Sequence, residues 1–209
     1  MSEKQQQNVI NTNNTGGTVP KWAPLAILLL TALLYGRSLL NGLTSYDDES
    51  YIINNPLISD ISFDGIRALF TTYHAGNYHP LTMLVYMLLY KVFGAAALPY
   101  HLLSLVLHLL NTWLVFRLAA RLSRQAITAI VTTLLFAIHP MHVESVAWAS
   151  ELKDVLYAAF YLGAALCYLN YTGTGKGKYL AYTCALFLAS LLCKPAAVSL
   201  PVLLLAIDL

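Results

Sequence analysis

The chain has 209 residues, of which 58% are hydrophobic and only 11% charged, and its mean hydropathy is +0.61. Soluble domains carry about 25% charged residues, so this composition cannot furnish a water-facing surface. The net charge of +2 is too small to argue for a nucleic-acid partner.

Residues 1–21 are rich in Gln, Asn, Thr and Gly and read as a disordered tail. The run Trp22–Leu40 outlasts a signal-peptide core and has no small-residue cleavage site behind it, so an uncleaved signal anchor is expected. A bilayer is crossed by about 20 apolar residues in a helix, because lipid offers backbone polar groups no partners. Leu98–Ala120, Ala126–Ile138, Val155–Leu169, Tyr179–Leu192 and Ala196–Leu209 are the further candidates. Pro80–Phe93 is ambiguous: at ~1.5 Å per residue it reaches roughly 21 Å, short of the ~30 Å hydrocarbon core. Cys167, Cys184 and Cys193 lie in or beside these runs and read as small hydrophobes rather than a disulfide or a metal site, which leaves the redox compartment open.

Charge decides the topology. Positive residues in short loops prefer the cytoplasm. Lys4 and Lys21 precede the anchor, and further clusters stand at Arg117, Arg121 and Arg124 and at Lys176 and Lys178. The loop after the anchor holds Asp47, Asp48, Glu49, Asp60 and Asp64 against Arg67. All basic clusters fall inside if Pro80–Phe93 lies along the outer surface instead of crossing. Only Arg37, near the outer end of the anchor, fits poorly. The expectation is an all-α, multi-pass membrane helix bundle over residues 22–209, with its N-terminus cytoplasmic. Leu43–His79, His139–Asp154 and Cys193–Pro195 then share the outer face. The acceptor patterns at Asn13 and Asn170 fall inside and should carry no glycan.

Those outer segments hold the candidates for chemistry. Tyr46-Asp47-Asp48-Glu49-Ser50-Tyr51 offers adjacent carboxylates that can deprotonate a hydroxyl or bind a cation, against the plainer account of a solvated loop start. Ile52-Ile53-Asn54-Asn55-Pro56 reads as a turn that would aim them. His139-Pro140-Met141-His142-Val143-Glu144 precedes Trp148, Glu151, Lys153 and Asp154. A helix from Val143 would put Glu144, Trp148 and Glu151 on one face. Two histidines and a glutamate can bind a metal, line a polar active site, or simply anchor at the interface. His101, Ser104, His108 and Asn111 fall within about 80° of one helix face, as polar groups facing protein or a cavity would; interhelical hydrogen bonding accounts for them equally. Asp154, Tyr157, Tyr161 and Tyr168 make a second stripe. Lys194, before Pro195, opposes the charge rule and suits an anionic phosphate or headgroup snorkelling. No P-loop, GxGxxG or CxxC pattern is present.

With these residues laid out, the chain resembles the membrane half of the transmembrane and tetratricopeptide-repeat-containing O-mannosyltransferases and their prokaryotic relatives. The resemblance runs from about Trp22 to the last residue. It is carried by Tyr46-Asp47-Asp48 through Asn54-Asn55-Pro56, Tyr78-His79-Pro80-Leu81-Thr82, and Tyr100-His101-Leu102 with His108 and Asn111. The series continues with His139-Pro140-Met141-His142-Val143-Glu144-Ser145-Val146-Ala147-Trp148, Lys153-Asp154 and Lys194-Pro195, all in order. It implies a GT-C type bundle with membrane-surface helices in the first outer loop. It also implies transfer of a mannose-like sugar from a polyprenyl-phosphate donor to an acceptor hydroxyl, often Ser or Thr of an exported protein, by a single inverting displacement. The outer side would be periplasmic, extracellular or lumenal. By the same resemblance Asp47 is the base and Asp48 assists it. His79, His101, His139, His142, Glu144, Lys153 and Asp154 line the donor and acceptor pocket, and Lys194 meets the donor phosphate. No cofactor is required, and a divalent metal stays open. Relatives of that kind continue with more membrane helices and then tetratricopeptide repeats. No repeat of about 34 residues is visible here, so the expectation is an N-terminal fragment. The rivals are a non-catalytic membrane subunit or scaffold, and a transporter, whose internal symmetry is missing from this sequence.

Overall fold

The computed structural model describes residues 20–208, so the expected disordered tail lies outside the described residues apart from Pro20 and Lys21. Regular structure is helical throughout these residues, with one isolated bridge between His74 and Asn77. The first apolar run is α1 (Ala23–Tyr35), which tightens into a 3₁₀ turn over Gly36–Leu40. Two short helices follow in the loop, α2 (Pro56–Ser59) and α3 (Phe63–Thr71), then α4 (Pro80–Phe93), α5 (Ala97–Ser123) and α6 (Ala126–Ile138). The remainder is α7 (His142–Ala147), α8 (Leu152–Thr174), α9 (Gly177–Cys193), a 3₁₀ turn Pro195–Ser199 and α10 (Leu200–Asp208).

Among the described residues, Ala23–Leu40, Ala97–Ser123 and Ala149–Thr174 are long and apolar enough to cross a membrane. α4, α6 and α9 are apolar but shorter. The bounds of α4 and α6 coincide with those expected from the sequence. The expected segment Ala196–Leu209 is instead divided, and α10 starts only beyond the 3₁₀ turn, with Pro201 in its first turn where a missing N–H costs nothing.

The distribution of side chains is that of a protein in lipid. Leu33 is 81% exposed, and Leu135 and Val202 point outward as well, whereas Thr31, Thr133, Asn111 and His108 are buried. In water that arrangement would be unfavourable on both counts. In a bilayer the leucines meet their own kind, and each buried hydroxyl must find a partner nearby. Two of them do so within their own helices: Thr31 donates to the Ile27 carbonyl at 2.7 Å and Thr133 to that of Ala129 at 2.6 Å.

α5 is the central helix, packed against α1, α6, α7 and α8, while α8 and α9 form an antiparallel hairpin turned at Gly175. The main core sits at one end of the bundle, where Tyr51, Ile52 and Ile58 of the loop meet Met83, Tyr86 and Met87 of α4 and Val146 to Val155. At the other end lie Arg117, Arg121, Arg124, Lys176 and Lys178, and Arg121 donates to Asn170 at 2.7 Å. Tyr86 fastens the loop-bearing end: fully buried, its hydroxyl donates to the carbonyls of Ser150 at 2.9 Å and Ala149 at 3.1 Å. Tyr86→Phe should therefore cost about 1–2 kcal/mol, read as a lower unfolding midpoint in micelles; an unchanged midpoint would show that this fastening is dispensable.

Two glycines are dictated by geometry. A Cβ on Gly65 would stand 2.0 Å from the Asp60 carbonyl, so only glycine lets α3 start this close to the end of α2. Gly94 turns α4 into α5 at φ 59°, ψ −141°, a region that side-chain-bearing residues avoid. The turn expected over Ile52–Pro56 is confined to Asn54. Glu49–Ile53 form a five-residue π-helical turn closed by Asn54 N–H on the Glu49 carbonyl at 2.7 Å, and Asn55 caps α2 through Leu57 N–H at 3.0 Å. The apolar pair Ile52 and Tyr51 is drawn into the core, and that burial outweighs the turn preference of the two asparagines.

Candidate active site

The two adjacent carboxylates are treated differently. Asp48 is fully buried, and both its oxygens are engaged. Oδ2 accepts Thr44 N–H at 2.8 Å and the Thr44 hydroxyl at 3.1 Å, while Oδ1 accepts Ser150 N–H at 2.8 Å. Trp148 Nε1 donates to Thr44 Oγ1 at 3.1 Å, and Asn41 reaches the Ala147 carbonyl at 3.2 Å. The first polar loop is thereby stitched onto the second polar segment. Asp47, half-buried, makes no side-chain hydrogen bond or ion pair among the described residues; only its carbonyl is used, by Ser50.

The second segment is not one helix. α7 ends at Ala147, and Trp148 is extended at φ −115°, ψ 124° before a 3₁₀ turn over Ala149–Glu151. Glu144, Trp148 and Glu151 consequently do not share a helical face, contrary to the sequence expectation. The extended residue frees the following N–H groups, and Asp48 takes that of Ser150. His139 and Glu144 are exposed. The His139 and His142 rings lie 6.1 Å apart, and His142 packs against Phe136 at 4.5 Å and His108 at 5.4 Å. Among the described residues no three His, Cys, Asp or Glu side chains group as a metal ion requires, and His139, His142 and Glu144 do not form such a group.

Under the first loop, Tyr51 organises a second cluster. Its ring lies 5.4 Å from that of His79 and 5.1 Å from that of His74, with the Lys153 ammonium 5.2 Å above it. Lys153 also pairs with Glu151 at 2.8 Å. Burial, then the charges of Lys153 and His74, lower the His79 pKa from 6.5 to about 4. The unfolded chain thus takes up this proton first, and stability is withdrawn as pH falls from 6.5 towards 4. His79→Gln should flatten that part of the stability–pH curve measured in micelles, and an unaltered slope would clear His79 of responsibility.

The polar stripe of α5 faces inward as expected, with His101, Ser104, His108 and Asn111 all buried. His108 Nε2 donates to the Ala137 carbonyl at 3.0 Å and Asn111 to that of Val155 at 2.8 Å, tying α5 to α6 and α8. His101 lies near Gly42 and within electrostatic reach of Asp48. The second stripe divides. Asp154 and Tyr157 face α5 and α7, whereas Tyr161 meets Ser199 and Tyr168 meets Asp208. Lys194 is paired with Asp154, its ammonium 5.8 Å from the Tyr157 ring. Thr82 of α4 donates to the Cys193 carbonyl at 3.1 Å, which draws the third polar segment to the same end of the bundle. Glu151, Lys153, Asp154 and Lys194 make a balanced quartet of charges there. An anionic phosphate arriving at either lysine would have to displace a carboxylate. Arg37, the misfit of the charge pattern, borders a groove with Leu34, Ile138 and Val143.

Ser145, Ser150, Tyr51 and Tyr86 belong to this region and were not singled out as site residues by the sequence. Tyr51 stood inside a quoted motif, but nothing marked its ring as the meeting point of Lys153 and His79. Ser150 contributes only its backbone, which leaves no trace in residue type.

Residues 76–208 match the family model described as dolichyl-phosphate-mannose-protein mannosyltransferase. That match takes in His79, the α5 stripe, the second polar segment and Lys194, and begins after Asp47 and Asp48. Among curated proteins, protein O-mannosyl-transferase Tmtc1 of Drosophila melanogaster is 34% identical over 179 residues, 81% of this chain and 21% of its own length. Protein O-mannosyl-transferase F38B6.6 of Caenorhabditis elegans is 27% identical over 158 residues, 70% of this chain and 23% of its own length. Protein O-mannosyl-transferase TMTC1 of Mus musculus is 33% identical over 163 residues, 73% of this chain and 17% of its own length. The chain thus spans about a fifth of the length of these relatives. No solved structure matches it.

Proposed function

The chain belongs to the dolichyl-phosphate-mannose-protein mannosyltransferase family, among the O-mannosyltransferases its motifs resemble, and from that membership and the site geometry we propose that it serves sugar transfer from a polyprenyl-phosphate donor to a hydroxyl of an acceptor protein at the non-cytosolic membrane face. The observation that carries this is the division of labour between Asp47 and Asp48. Asp48 pins the acidic loop onto the second polar segment, and Asp47 stands beside it with its carboxylate uncommitted among the described residues.

A serine or threonine hydroxyl is a poor nucleophile at neutral pH and needs a base within hydrogen-bond reach. Asp47 is suited to take its proton. The departing phosphate needs positive charge rather than a proton, and Lys194, once released from Asp154, or Lys153, released from Glu151, supplies it. Attack from the carboxylate side with departure towards the lysines gives one inverting displacement. The position of Arg117, Arg121, Arg124, Lys176 and Lys178 at the opposite end of the bundle supports a non-cytosolic site.

The test is transfer itself. Membranes containing the chain are incubated with polyprenyl-phosphate mannose labelled in the sugar and with a serine- and threonine-containing peptide. Label is expected on the peptide, on residues that alkaline elimination releases. Incorporation no greater than in membranes lacking the chain would rule the proposal out.

A further inference from the structure

A cavity of about 270 Å³ lies between α5, α7 and α8, with Asn111, His142, Ser145, Asp154 and Tyr157 contributing polar groups to its wall. Asn111 is 1% exposed, and while its amide nitrogen is bonded to Val155, its Oδ1 has no hydrogen-bond partner among the described residues. A buried amide oxygen without a donor is an anomaly that a ligand or water must resolve. Ser145 Oγ lies 3.4 Å from Asp154 Oδ2, which leaves that carboxylate oxygen weakly used, since Lys194 holds the other one. The rings of Phe136 and His142, 4.5 Å apart, also line it, with His108, Met141, Val155 and Ala158.

Size and chemistry together narrow the occupant. Sites for drug-sized ligands run from roughly 300 to 1,000 Å³, so the space suits one small molecule. An apolar ligand would leave Asn111 Oδ1 and Asp154 unanswered. A monosaccharide answers both, because its ring carries C–H faces for the aromatic walls and a rim of hydroxyl donors. Position agrees as well: Asp154 follows Ser150, the residue bonded to Asp48, by four residues.

We infer that this cavity receives the sugar ring of the transferred unit, and that Asn111, Ser145 and Asp154 recognise its hydroxyls. The inference rests on the glycosyltransferase reading above and adds residues that select the sugar. Asn111 and Ser145 are recognition residues, distinct from the base.

Mannose 1-phosphate serves as the probe, with inorganic phosphate as its control, and the readout is the unfolding midpoint of the full chain in nanodiscs. Mannose 1-phosphate should raise the midpoint of the wild-type chain, and inorganic phosphate should not match it. Ala158→Leu, which fills the cavity without touching a polar group, should abolish the response. Ser145→Ala, at a half-buried position that tolerates truncation, should weaken apparent affinity about threefold to tenfold even if the larger substitution fails to fold. Equal responses to both probes, or a wild-type response in Ser145→Ala and in a folded Ala158→Leu, would overturn the assignment. Sugar transfer measured on the same samples separates the two readings. Absence of transfer in every sample removes the enzymatic reading while the probe comparison still decides the cavity. Undiminished transfer in Ala158→Leu removes the cavity alone.

Discussion

Asp48→Ala is expected to lower the unfolding free energy by about 3–5 kcal/mol, a large part of the ~5–15 kcal/mol that separates folded from unfolded states in typical domains. The carboxylate is fully buried and accepts Thr44 N–H, the Thr44 hydroxyl and Ser150 N–H. Truncation strands the Ser150 donor in the interior, where water cannot replace the acceptor, and takes the acceptor from Thr44 at the exposed rim of the loop. It also releases the loop that carries Asp47 from the segment between α7 and α8. Asp48→Asn should be intermediate. An amide has one acceptor oxygen, so either Ser150 or Thr44 must confront an NH₂ group, while the shape is kept. Unfolding by denaturing detergent in mixed micelles ranks the three chains. An alanine variant as stable as the wild type would mean that these bonds do not hold the loop.

The same residue marks the limit of what could be read from the sequence. The helical class, the bounds of α4 and α6 and the inward-facing stripe His101–Asn111 follow from apolar run length and helical periodicity, which are local properties. Roles for Asp47 and Asp48 are not local. The two are identical in chemistry and adjacent in the chain, and what separates them is the set of bonds that Asp48 accepts, one of them from a residue 102 positions away. Lys194 looked like a free cation because its neutralising partner, Asp154, stands 40 positions earlier. The break at Trp148 was missed because a helix continuing through Val143 to Glu151 satisfies periodicity equally well. The extended residue is selected by what it permits, namely Asp48 bonding Ser150 N–H and Tyr86 bonding the carbonyls beside it. Tertiary contacts decided each of these points.

Asp47→Asn is expected to do the opposite of Asp48→Ala: fold unchanged, transfer lost. The substitution keeps size and planarity, and no bond to the Asp47 carboxylate exists among the described residues for it to break. Stability should therefore shift by less than about 0.5 kcal/mol. What disappears is the capacity to accept a proton. General bases contribute about 10²–10⁴-fold to rate, so label transferred to the peptide should fall by that factor while donor binding, set by the lysines and the α5–α7–α8 cavity, persists. Asp47→Glu retains the carboxylate one methylene further out and should recover part of the rate, which a purely structural aspartate would not predict. Full transfer by a stably folded Asp47→Asn chain would take the proton away from this residue. Asp48 could not then inherit the role without surrendering bonds that hold the loop, and the base would have to be sought among the carboxylates at the head of α8.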